Sequence, residues 1–169
     1  LVIDKYGPKA FQYGATQGVP ELREAVSKRY GVPLERAQIT SSSQQGIDVC
    51  TRVFVNPGDV ILTSDPTYLG ALQSFRSYRA DIVGVPHKEN IEDFKLAYEE
   101  KVKACLEAGK KIKFLYMIPD FQNPSGETLT LEERKILVEL ARKYDFLIVE
   151  DSPYRELRYE GADVPTIYS

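Results

Sequence analysis

Asp151 comes directly after the run Phe146-Leu147-Ile148-Val149-Glu150, and Tyr154 follows three residues later. A short unbroken apolar run suits a strand buried on both faces of a parallel sheet, and ligands of such sheets bind beyond the strands' carboxyl ends. A carboxylate is expensive to bury alone, so an acid at that point calls for a cationic partner such as a ligand nitrogen. The plain alternative is a strand end whose acids face water. Three other stretches carry polar residues of comparable interest. Ser43-Gln44-Gln45 opens a helical pattern, where free backbone N–H groups bind anions, phosphate above all, and a hydroxyl adds a donor. The same serine would also serve as an ordinary cap. Asp65-Pro66-Thr67-Tyr68 sets an aromatic ring beside a stiffened strand exit, for stacking on a planar ligand or for packing. In Asp120-Phe121-Gln122-Asn123-Pro124-Ser125-Gly126, Pro124 biases Asn123 to an extended backbone and its amide can donate to a ligand oxygen. A turn built on Asn-Pro and Ser-Gly reads equally well.

A phosphate cradle, a stacking ring, an amide donor and a carboxylate together suit a flat, phosphorylated, nitrogen-containing heteroaromatic ring, and pyridoxal phosphate has each of those features. Other chemistries lack their residues. The single histidine, His87, follows Pro86 in a loop, reads as solvated, and has no nucleophile motif around it. Cys50 and Cys105 lie far apart on apolar sides of helical patterns and read as reduced core residues, with no metal-ligand spacing. Neither a Gly-x-Gly-x-x-Gly nor a Walker pattern is present. The net charge of −3 argues against a nucleic-acid surface, and no apolar run is long enough to span a bilayer. The expected location is the cytoplasm.

Strands and helices in alternation must position these residues. After an irregular stretch, 1–17, Gly18-Val19-Pro20-Glu21 opens a helix with Leu22, Ala25, Val26 and Tyr30 on one face and Gly31 as its stop. A short strand is expected at Gln38-Ile39-Thr40, then a helix whose inner face is Ile47, Cys50 and Phe54. Strands follow at Val60–Thr63, Ala80–Val85, Lys113–Ile118 and Phe146–Val149. Between them lie helices at Leu69–Tyr78, from the cap Asn90 to about Leu106, and from the capping box Thr130-Leu131-Glu132-Glu133 onward. The last of these buries Leu137, Leu140, Ala141 and Tyr144. The fold class is α/β with a largely parallel sheet. The tail, Arg155 to Ser169, has no helical pattern, and a sheet ending at the Phe146 strand would keep an open edge, so a piece of a larger domain is expected.

In this order the blocks resemble the large, cofactor-binding domain of fold-type I pyridoxal-phosphate aminotransferases of class I/II. They are most similar to the branch containing 2-aminoadipate and kynurenine aminotransferases. The carriers are Gln12-Tyr13-Gly14 with Gly18-Val19-Pro20-Glu21-Leu22-Arg23, Ser43-Gln44-Gln45-Gly46, Asp65-Pro66-Thr67-Tyr68, Asn123-Pro124-Ser125-Gly126 and Glu150-Asp151-Ser152-Pro153-Tyr154. The resemblance covers nearly all 169 residues and implies a three-layer α/β/α large domain, incomplete here. It implies that Ser43 and Gln44 hold the cofactor phosphate and that Tyr68 stacks on the pyridine ring. Asn123 and Tyr154 would bond the phenolic oxygen, and Asp151 would pair with the pyridine nitrogen. In family homodimers the tyrosine matching Tyr13 reaches the partner's phosphate. The implied activity is transamination between an amino acid and a 2-oxo acid. The family's Schiff-base lysine lies downstream of Asp-x-x-Tyr in a Ser-x-x-Lys stretch. No lysine here has that context, so the chain by itself is expected to be inactive. An aminotransferase-like sensor domain of a DNA-binding regulator shares these motifs and is the other reading.

Overall fold

Val60–Asp65 (β1), Asp81–Pro86 (β2), Ile112–Met117 (β3) and Leu147–Glu150 (β4) form one sheet in the order β2-β1-β3-β4, with every pairing parallel. The computed structural model describes residues 1–169, which divide into a unit of Leu1–Ser42 and a unit of Ser43–Ser169 that holds the sheet. Side chains alternate across a strand, so each strand feeds two layers. Val60, Leu62, Val85, Leu115 and Met117 meet Phe94, Tyr98 and Val102 of helix Ile91–Glu107 and Leu137, Leu140 and Ala141 of helix Leu131–Tyr144 on one face. Ile61, Phe114 and Tyr116 meet Ile47 of helix Ser43–Phe54 and Ala71 and Phe75 of helix Leu69–Ser77 on the other. The result is the expected three-layer α/β/α arrangement. In chain order these helices are α3 (Ser43–Phe54), α4 (Leu69–Ser77), α5 (Ile91–Glu107) and α6 (Leu131–Tyr144), after α1 (Val2–Tyr6) and α2 (Pro20–Tyr30) of the first unit.

The connection leaving β1 leads to α4 on one face, whereas the connection leaving its neighbour β3 leads to α6 on the other. The two loops therefore part over the carboxyl ends of adjacent strands, and that is where an open α/β sheet forms its ligand crevice.

Local signals set the helix ends. Asn90 caps α5 by accepting from the N–H groups of Glu92 and Asp93 at 2.9 and 3.2 Å. Thr130 and Glu133 make the reciprocal capping box of α6. Gly31, at φ 64°, ends α2 in the left-handed conformation that glycine adopts without strain.

Several expectations are corrected. Residues 1–17 are not wholly irregular: α1 makes one turn and a 3-10 helix spans Gly7–Phe11, because the breakers at Gly7 and Pro8 leave the residues before them free to coil. Gln38-Ile39-Thr40 joins no sheet; its link is the single bond from Ile39 N–H to Gln17 O, 2.9 Å, and one bond does not make a ladder. On α2, Leu22 and Tyr30 are exposed rather than covered. The buried residues of α3 are Ile47 and Thr51, followed by Val55 just past its end, not Ile47, Cys50 and Phe54. Thr51 goes inward because its hydroxyl donates to Ile47 O at 2.8 Å, which satisfies it internally. Cys105 is buried, but Cys50 is only half-buried; both thiols are free. His87 is not fully solvated, since its ring lies edge-on to Phe94 with Nδ1 3.9 Å from Glu133 Oε1. Leu147 of β4, one of the sheet's two edge strands, is exposed, so the apolar run is not buried on both faces. Glu150 does not simply face water: its carboxylate accepts the N–H groups of Ile167 and Tyr168.

Candidate functional site

β4 delivers Asp151 to the carboxyl edge of the sheet. The Asp151 backbone N–H donates to Met117 O at 2.9 Å, so pairing with β3 continues one residue past the strand and fixes the base of the side chain. Oδ2 accepts the Tyr116 hydroxyl at 2.7 Å. Tyr116 is wholly buried and edge-on to Phe75, which holds its phenol in one orientation. Burial pushes the Asp151 carboxyl above the ordinary range, and the Tyr116 hydrogen bond opposes that rise. Burial, followed by the Asp151 charge, pushes the Tyr116 phenol well above its usual value. Tyr68 and Tyr154 pack against the cluster that contains Tyr116 and contribute to the same shift. The groups acting on Asp151 include a neutral donor and no cation. Two lysines pair at the opposite end of the sheet, where Lys113 lies 3.6 Å from Asp59 and Lys110 2.5 Å from Asp81.

Asn123 belongs to the loop leaving β3. That loop closes on itself through Leu129 N–H to Pro119 O, 2.9 Å, and Gln122 N–H to Glu127 O, 2.8 Å. The Gln122 amide ties it to the exit of β1, donating to Ser64 Oγ and Pro66 O. Asn123 Nδ2 donates to the Tyr154 hydroxyl at 3.3 Å. Beside this pair is an open hollow of about 800 Å³ walled by Phe121, Pro124, Leu157 and Tyr159.

Tyr68 occupies the N-cap position of α4, and its ring lies back over Gly70, where any Cβ would run into the phenol. The Gln44 side-chain amide donates to Gly70 O at 3.1 Å and Ser74 Oγ at 2.8 Å, which fastens the start of α3 to the first turns of α4. Its nitrogen is thereby occupied, and Oε1 is buried without a partner. For an anion, α3 can offer the exposed Ser43 hydroxyl and first-turn N–H groups that helix geometry leaves without intrahelical acceptors.

The structure therefore gathers Asp151, Tyr68, Tyr154 and, through Tyr154, Asn123 around one phenol, and it connects Gln44 to them through α4. Tyr13 lies in the 1–42 unit and is wholly exposed. Sequence reasoning overlooked Tyr116, Gly70, Gln122 and Asp120. Tyr116 was hidden in an apolar strand, although a hydroxyl on the α3/α4 side of β3 was a usable signal. Gly70 and Gln122 act through contacts that no spacing rule reveals.

Residues 4–169 match the family Aminotransferase class I and II. The chain is 46% identical over 172 aligned positions to aromatic-amino-acid aminotransferase 1 of Thermococcus litoralis, covering 98% of this chain and 41% of that protein. Its fold superposes on a kynurenine aminotransferase from Pyrococcus horikoshii, in complex with PMP, with a TM-score of 0.85 and 44% identity over 98% of this chain and 42% of that one. It superposes on an alpha-aminoadipate aminotransferase from Thermus thermophilus, complexed with N-(5'-phosphopyridoxyl)-L-leucine, with a TM-score of 0.86 and 34% identity over 99% of this chain and 41% of that one. The chain belongs to the class I and II aminotransferases. It spans about two fifths of the length of the relatives it matches.

Proposed function

We propose that these residues form the cofactor-holding part of a pyridoxal-phosphate-dependent aminotransferase, a piece of its large domain. The observation that carries this reading is Asp151: a carboxylate half-buried at the sheet's ligand-binding edge, raised by burial and met by a phenol instead of a cation. A protonated ring nitrogen is the charge such an acid lacks. The donor set fits the rest of the cofactor, with Asn123 Nδ2 and the Tyr154 hydroxyl side by side for an anionic oxygen, and the Tyr68 ring backed by Gly70 for a ring face. The names and ligands of the similar proteins support the same cofactor.

When bound, pyridoxal phosphate supplies an electron-accepting ring for the pair left as an amino acid's α-C–H bond ionises. Asp151 would hold the proton on the ring nitrogen, with Tyr116 fixing the carboxylate's direction through Oδ2. Asn123 and Tyr154 would donate to the phenolic oxygen. Ser43 and the first turn of α3 would hold the phosphate, and Tyr68 would set the plane of the ring. We assign α-proton transfer to a group outside these 169 residues, because the groups gathered around Asp151 are phenols and an amide, none of them an amine. The chain alone is therefore expected to show no turnover. In the intact protein the expected reaction moves an amino group between an amino acid and a 2-oxo acid.

Tyr13, fully exposed, suits a reach into a second subunit, so a homodimer is the expected assembly. Two free thiols suit a reducing compartment such as the cytoplasm. No helix is long and apolar enough to cross a membrane.

The test is reconstitution of the intact protein with pyridoxal phosphate, followed by visible absorbance and amino-group transfer. Retained cofactor that is lost in Asp151→Ala supports the reading. A wild-type protein that retains no cofactor and transfers no amino group overturns it.

A further inference from the structure

Asn123 comes from the loop leaving β3 and Tyr154 from the stretch after β4, where it precedes a short 3-10 helix, Arg155–Leu157, yet their polar atoms meet at 3.3 Å. Both segments are rooted in one charge cluster. Asp120, fully buried, accepts Arg134 Nη2 at 2.9 Å and Arg158 Nη2 at 3.0 Å on Oδ1, and Arg134 Nη1 at 3.2 Å on Oδ2. Arg155 Nη1 stands 3.6 Å from Oδ2. Arg134, itself 2% exposed, also donates to Pro119 O and Leu129 O, the two ends of the loop that carries Asn123. Its remaining bond, to Pro165 O, and that of Arg155 to Val164 O hold the segment that carries Tyr154. Arg158 stacks on the Phe121 ring at 4.8 Å, which joins the second segment to the first a second time.

An isolated acid would not be buried here, and Arg134, bonded to both carboxylate oxygens, would suffice to neutralise it. The additional arginines come from the Tyr154 segment, one and four residues after that tyrosine. We propose that the Asp120–Arg134–Arg158 cluster is a positioning device that sets the separation of the Asn123 and Tyr154 donors. In the cofactor reading above, it thereby sets how strongly an anionic oxygen between them is stabilised. These residues touch neither donor's polar atom; they act through the two backbone segments.

Arg158 is the residue to change, because it joins the two segments while Arg134 continues to neutralise Asp120. In crystals of the cofactor-free intact protein, Arg158→Gln is expected to leave the sheet in place and to lengthen the Asn123 Nδ2–Tyr154 Oη separation beyond hydrogen-bond reach. Arg158→Lys, which retains the charge, should give a smaller displacement. With pyridoxal phosphate bound, losing donors to an anionic oxygen disfavours the more negative form. The pH midpoint of the cofactor's visible band should therefore rise by about one unit in Arg158→Gln. An unchanged separation and an unchanged midpoint in a folded Arg158→Gln protein would overturn the proposal. Should Arg158→Gln not fold, Arg158→Lys serves in its place: it keeps a charge for Asp120 but loses the guanidinium plane on Phe121, so the separation should lengthen, and an unchanged one overturns the proposal. The cofactor-free separation keeps the two readings apart. A pair that parts in a protein unable to retain pyridoxal phosphate supports the positioning role and overturns only the cofactor assignment.

Discussion

Asp120 and Asp151 stand just beyond the ends of neighbouring strands, and the molecule treats the two acids in opposite ways. Asp120 is fully enclosed and faced by guanidinium groups from Arg134, Arg155 and Arg158. Asp151 is half-buried and faced by the hydroxyl of Tyr116. One charge is neutralised within the chain and anchors two loops. The other is desolvated without a counter-charge. A carboxylate is left in that condition where it is to act on something else, whereas a merely structural acid is paired or exposed.

The largest effect should come from removing the compensation at Asp120. Arg134→Met strips a buried acid of its bidentate partner and frees the carbonyls of Pro119, Leu129 and Pro165. Removing one partner of a buried pair costs about 3–5 kcal/mol, so urea melting should show a loss of that size. A loss under about 1 kcal/mol would mean that Arg155 and Arg158 suffice, and the contrast between the two acids would weaken.

Asp151→Asn should act chiefly on ligand binding. A hydrogen bond to a charged group contributes about 1.5–3 kcal/mol, so pyridoxal phosphate affinity measured by absorbance titration should fall roughly ten- to hundredfold. Equal retention in the variant would remove Asp151 from the site.

Thr130→Ala separates charge from helix placement. It removes the capping box of α6 without touching the guanidinium, and about 1 kcal/mol of stability should go with it. Asn123 and Tyr154 should remain within hydrogen-bond reach, as nuclear Overhauser contacts between their side chains would show.

The smallest effect has the most informative sign. The Asp151 carboxyl is raised in the folded state, so the protein loses stability as pH climbs from the ordinary aspartate value of about 4 through the raised one. Cofactor-free Asp151→Asn should therefore be more stable than the wild type at neutral pH. The difference should close below about pH 4, where both side chains are neutral. A less stable variant at neutral pH would show that the Tyr116 bond outweighs the desolvation.

Much of this architecture was legible as local pattern. The capping box at Thr130, the Asn90 cap, the Gly31 stop and the apolar runs of β1 and β3 are short-range effects that a few neighbouring residues decide. Family motifs marked Ser43, Gln44, Tyr68, Asn123, Asp151 and Tyr154 before any geometry was known, and the fold brings most of them to one edge of the sheet.

The sequence alone determined the element order from α3 to β4, the helix ends there and which polar residues fall in the loops after strands, because propensity and capping act within a few residues. Tertiary structure decided that Tyr116 meets Asp151, that the Gln44 nitrogen is taken up by α4, and that Asp120 is neutralised by arginines far apart along the chain. Those outcomes depend on groups distant in sequence approaching within about 3 Å, and the balance of desolvation against pairing exists only once they do.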